Sequence, residues 1–87
     1  MVTVKKPNEE EKKDCEGWPI WEKEVSEFDW EYADKETCYI LEGKAQVFSK
    51  DGTLIAEFGK GDLVEFEPSL KCRWKITDNI RKHYKLG

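Results

Sequence analysis

Apolar side chains along this 87-residue chain recur mostly at every second position, the period of strands with one face covered. The densest such tract runs from Phe28 to Val47, reading FDWEYADKETCYILEGKAQV. In it Phe28, Trp30 and Tyr32 share one face, and Glu36, Cys38 and Ile40 share the next, so that face is aromatic, acidic and sulfur-bearing. The β-branched and aromatic run Thr37–Leu41, a glycine at Gly43 and the run Ala45–Phe48 predict a hairpin. Asp51-Gly52 predicts a tight turn into a strand over Thr53–Phe58, and Gly59 and Gly61 frame a turn before Leu63–Phe66. Beyond Pro68, Cys72, Trp74 and Ile76 alternate with Lys71, Arg73 and Lys75, giving a half-buried strand with a basic outer face. Asp78-Asn79 then separates this strand from a last one over Ile80–Leu86.

The first third of the chain is less regular. Val2 and Val4 alternate with Thr3 and Lys5, predicting a short edge strand over Met1–Lys6 that Pro7 ends. From Asn8 to Asp14 the chain is Glu and Lys, either a short solvated helix capped by Asn8 or an exposed connector. Trp21, Val25 and Phe28 would suit a helix by spacing, but the neighbouring Val, Ser, Phe and Trp favour a strand. Seven or eight short strands with turn residues between them predict an antiparallel sandwich or barrel. The division expected is a polar arm over 1–17 and a single β-domain over 18–86, with no repeat or linker to mark a second domain.

Composition narrows what such a domain can do. A chain of this length buries roughly 60 to 65% of its unfolded surface, so its core must be small, and 4 Trp, 4 Phe and 3 Tyr supply much of the filling. Its net charge of −4 argues against nucleic-acid binding, which depends on clustered cations. Three cysteines without CxxC spacing give neither a zinc knuckle nor a disulfide framework, and reduced thiols in the cytoplasm are the simplest reading. No apolar run suits a signal peptide or a membrane span, so no membrane partner is expected.

A more specific pattern runs through the barrel tract. Glu36, the six residues to Gly43, a strand, a turn, and Gly61-Asp62-Leu63-Val64 with Pro68 and Cys72 beyond resemble the two motifs of the cupin superfamily. Trp18 to Tyr84 is similar to small single-domain cupins grouped with the cupin domain of (S)-ureidoglycine aminohydrolase, in its WPIWEKEVSEFDWEY, ETCYILEG, GDLVEF, CRW and RKHY segments. The resemblance implies an all-β, double-stranded β-helix, or jelly roll, with the site inside the barrel. It also implies homodimers paired through sheet edges and a nitrogen-rich, ureide-like substrate.

The departures from that pattern fall on the metal ligands. Trp30 and Tyr32 stand where the resemblance implies paired metal-binding histidines, Cys72 stands at the last histidine position, and only Glu36 is kept. His83 is the one histidine of the chain, so a three-His, one-Glu centre cannot form. Glu67 and Ser69 likewise replace the Pro and Gly usual in the second motif.

Individual side chains leave several chemistries open. Glu36, desolvated between Trp30 and Tyr32, would suit general acid or base work, or would be a structural group satisfied by Lys, Arg or Tyr. Cys72 is a candidate nucleophile or ligand if a cation lowers its pKa, although alternation sends Lys71 and Arg73 to the other face. Glu36, Cys38, Cys72 and His83 together would make a soft-metal site. In the last strand one register turns Lys82 and Tyr84 inward and the other turns in His83, and a one-residue slip decides between them. Trp30, Tyr32 and Trp74 are either core or a stacking wall for a compact ligand. The function expected is therefore binding of a compact polar molecule in the barrel, with or without catalysis by Glu36 and Cys72. A rearranged Glu/Cys/His metalloenzyme and a non-catalytic interaction module are the alternatives.

Overall fold

The computed structural model describes residues 2–87. Seven strands and one short helix form a single antiparallel arrangement: β1 (Val2–Lys5), α1 (Glu9–Cys15), β2 (Ile20–Lys23), β3 (Ser26–Glu31), β4 (Glu36–Phe48), β5 (Leu54–Gly59), β6 (Leu63–Phe66) and β7 (Lys71–Leu86). This is an all-β antiparallel barrel, as the alternation predicts. β1 pairs with β6, β6 with β4, β4 with β7, and β7 with β2, while β5 adds to β4 and β3 adds to β7.

Two long strands form the spine. β4 and β7 pair with each other from Glu36↔Leu86 to Phe48↔Arg73. Each carries two shorter strands on its other edge: β6 and β5 on β4, and β2 and β3 on β7. The hairpin expected at Gly43 and the strand break expected at Asp78-Asn79 are both absent, because these two turn signals lie opposite each other and form a bulged crossing instead. The β4–β7 register shifts between Ile40 and Ala45, and Gly43 there has φ 96°. A Cβ at Gly43 would stand 2.1 Å from the Asn79 carbonyl oxygen, so only glycine fits. The shift has a purpose visible in burial. Cys38 and Ile40 face inward before it and Ala45 and Val47 after it, a change of phase that keeps both halves of β4 on the core.

The turns expected at Asp51-Gly52 and at Gly59–Gly61 are present, with β5 folded back onto β4. The region between Trp21 and Phe28 is strand, split by Glu24-Val25 into β2 and β3. Near the start, β1 covers Val2–Lys5 of the expected edge strand, and Met1 lies outside the described residues. Asn8 makes a capping box with Glu11, so Glu9–Cys15 is a helix rather than a connector. Ser69, at the glycine position of the second motif, takes a left-handed φ of 67°, and its N–H donates to the Tyr32 carbonyl at 2.6 Å. A serine thus adopts the left-handed backbone that glycine takes most readily.

The core gathers Trp74, Phe66, Phe58, Ile76, Ile80, Ile40 and Val64 inside the barrel. Tyr32 stacks on Phe66 at 4.6 Å between ring centroids, and Trp74 meets Phe58 edge-on at 5.4 Å. None of the described helices is long and apolar enough to cross a membrane.

Candidate functional site

A cavity of about 220 Å³ opens at one end of the barrel. Its walls are Trp21, Phe28, Trp30, Tyr32, Trp74, Tyr84 and Leu86, and its polar members are Glu36 and Lys82. β3 and the residue after it supply Phe28, Trp30 and Tyr32 at the period-2 spacing seen in the sequence. β4 supplies Glu36 from its first position, and β7 supplies Trp74, Lys82 and Tyr84 from alternate positions.

The β4–β7 register settles which of Lys82 and His83 turns inward. Lys82 is only 5% exposed, and its Nζ donates to Glu36 Oε2 at 2.9 Å. Glu36 is itself 7% exposed, so the pair is shielded from water. The ammonium also lies 4.8 Å from the ring centroids of both Trp21 and Trp74, a cation held between two indole faces. Cys38 Sγ stands 3.7 Å from both Lys82 Nζ and Glu36 Oε2. His83 points elsewhere, with Nδ1 2.9 Å from the Trp18 carbonyl oxygen, and takes no part in the cavity lining.

The aromatic wall is fixed by its own contacts. Trp74 Nε1 donates to the Tyr32 hydroxyl at 3.0 Å, and Phe28 stacks on Trp74 with an interplanar angle of 14°. Burial raises the Tyr32 phenol far above its usual range, so it is a neutral hydroxyl at every working pH. Trp30 sits at the rim, 45% exposed.

The two inner cysteines lie behind this surface. Cys38 and Cys72 are fully buried, and neither lines the cavity. Burial pushes the Cys38 thiol up to about 12 and the Cys72 thiol up to about 11, so neither is a thiolate near neutrality. The geometry therefore gives the nucleophilic reading of Cys72 no support. The soft-metal arrangement fares no better, since Cys72 is walled off, His83 faces Trp18, and Lys82 already occupies Glu36 Oε2. Among the described residues no three His, Cys, Asp or Glu side chains stand close enough to hold a metal ion. The donor set does not fit the metal that the superfamily pattern implies, because an ammonium lies against the one ligand that is kept.

Trp21, Phe28 and Leu86 complete the lining although sequence reasoning did not place them in the site. Trp21 is the most consequential, and its register opposite Lys82 puts it there. Only its place in an aromatic-rich stretch hinted at this.

Comparison with known proteins agrees with this architecture. A DUF861 family protein of known structure from Thermotoga maritima is 54% identical over the whole of both chains, with a TM-score of 0.93. The EutQ protein of Clostridium difficile superposes with a TM-score of 0.66 at 23% identity, over 75% of this chain and 50% of its own. A putative ethanolamine utilization protein from Salmonella typhimurium gives 0.66 at 18% identity, over 95% of this chain and 66% of its own. These last two likenesses show the fold alone, and this chain spans only half to two thirds of their length. No curated protein matches the chain. Residues 10–84 match the EutQ-like cupin domain, and the chain belongs to that family and hence to the cupin superfamily.

Proposed function

We propose that the protein binds a compact, neutral, planar molecule bearing amide- or ureide-type N–H and C=O groups in the barrel cavity. The observation that carries this reading is the Glu36–Lys82 pair inside an otherwise aromatic cavity. The pair is formally neutral. A cationic ligand would meet the Lys82 ammonium and an anionic one the Glu36 carboxylate, so a neutral ligand with both a donor and an acceptor fits best. Lys82 and Cys38 both donate to Glu36 Oε2, and Oε1 accepts no hydrogen bond from the described residues. Oε1 is thus the acceptor for a ligand N–H. The flanking indole and phenyl faces suit a flat body, and 220 Å³ is below the usual range for drug-sized pockets, which limits the ligand's size.

The resemblance of the Trp18–Tyr84 segments to the cupin domain of (S)-ureidoglycine aminohydrolase, read from the sequence alone, is what points to ureides or other nitrogen-rich compounds as the class. Glu36 is then the group that exchanges a proton with the bound molecule, and no metal takes part. In this reading the protein works in the cytoplasm as a homodimer that covers exposed sheet edges. Titration of tryptophan fluorescence with hydantoin, allantoin and benzamide is the test, because three of the 4 tryptophans line the cavity. Saturable one-to-one binding by at least one probe, weakened about tenfold or more in Glu36→Gln, is expected. Failure of every probe at millimolar concentration would overturn the reading. Light scattering of the same samples should give twice the chain mass.

A further inference from the structure

We propose that Lys82 is a Schiff-base lysine, condensing with an aldehyde or ketone that enters the barrel cavity. The inference rests on the ligand-binding reading above and goes beyond it, since a ligand that condenses here must carry an aldehyde or ketone carbonyl in addition to, or in place of, the amide-type groups.

Three observations carry it. First, Lys82 is a primary amine almost wholly removed from water, yet it belongs to the cavity lining and can be reached from there. A polar network alone does not call for a lysine at the end of an apolar cavity, and lysine is the side chain whose amine forms imines. Second, Glu36 Oε2 is 2.9 Å from Nζ, so a proton can pass between them along an existing hydrogen bond with no change in net charge. Third, the two indole faces that hold the ammonium at 4.8 Å would equally hold the planar cation that replaces it.

The step balances. The Lys82 ammonium gives one proton to Glu36, and the free nitrogen pair attacks the carbonyl carbon while the C=O π pair moves to oxygen. Glu36 returns its proton to that oxygen and then takes one from nitrogen, giving the neutral carbinolamine. It next protonates the carbinolamine hydroxyl, the C–O bond breaks, and water leaves as the nitrogen pair forms the C=N bond. An ammonium and a carbonyl thus become a protonated imine and water, with no oxidant or reductant. The positive charge is present before and after, so the ion pair with Glu36 and both cation–π contacts persist. The apolar walls favour dehydration, since little water has access to reverse it.

The chemical class implied is a compact carbonyl compound with a flat or short apolar body. The experiment incubates the intact protein with benzaldehyde and sodium cyanoborohydride, which reduces an imine to a stable secondary amine, followed by intact-mass measurement and peptide mapping. A single benzyl adduct on Lys82, formed at least tenfold faster than on any other lysine, is the expected result. Glu36→Gln should slow it about tenfold or more. Lys82→Arg keeps the charge but has no primary amine, and should abolish the adduct. Labelling spread evenly over the surface lysines, with Lys82 unmodified, would overturn the proposal. If benzamide still binds saturably in that case, only the covalent step fails; if neither benzamide nor any other neutral probe binds, the ligand-binding reading fails with it.

Discussion

At the scale of single residues, the site is a pair of charges whose energetics depend on each other. Removing one partner leaves the other buried without compensation. Lys82→Met should therefore destabilise the fold by about 3–5 kcal/mol, whereas Glu36→Leu combined with Lys82→Met should recover most of that loss. Urea melts of the single and double variants give the comparison, and a mild effect for Lys82→Met alone would mean the pair is hydrated. The buried thiols make a second prediction. Cys38 and Cys72 titrate near 12 and 11 in the fold, against about 8.5 in an unfolded chain. Their folded values are raised, so the stability they contribute is complete below about pH 8.5 and is lost as pH rises towards the folded values. The unfolding free energy should fall across this alkaline window, less steeply in Cys38→Ala, and a slope unchanged by that substitution would refute the assignment. Of these residues, Glu36 was legible from its place before Gly43, and Trp30, Tyr32 and Trp74 from their alternation. Lys82 was legible only as one of two registers, because a lone strand carries no mark of which face its partner covers.

At the scale of elements, the sequence pattern located nearly every strand but misjudged how two of them end. Gly43 and Asp78-Asn79 carry the composition of turns. In β4 and β7 they instead meet face to face, where a turn residue's tolerance of unusual backbone serves a bulge as well as a reversal. Local composition cannot tell these apart, because the difference lies in what packs against the glycine. Gly43→Ala would drive a methyl group into the Asn79 backbone, and φ 96° adds strain of its own. A loss of more than about 2 kcal/mol is expected. Gly52→Ala shares the positive φ but meets nothing within 4 Å, so it should cost only about 1 kcal/mol. Thermal melts of the two variants separate crowding from backbone strain, and equal losses would show that the crossing at Gly43 yields easily.

At the scale of the whole molecule, Glu36 and Lys82 are 46 residues apart and meet only when β4 lies fully along β7. The architecture was readable from rhythm and motifs, while the cavity was not, since it is made by residues from four strands whose mutual placement no local pattern encodes. Trp21 shows this best: its role comes entirely from the strand opposite. β2, which carries Trp21, is four residues long and, among the described residues, pairs as a strand with β7 alone. Its detachment would leave the β4–β7 spine intact and uncover Lys82 from one side. Opening of this kind costs less than global unfolding, so amide hydrogens of Ile20–Lys23 should exchange with solvent faster than those of β4. A ligand lodged under Trp21 should slow that exchange selectively, and equal protection of β2 and β4 in the free protein would exclude it. One short edge strand thus sets how widely the cavity around Lys82 can open beyond its existing mouth.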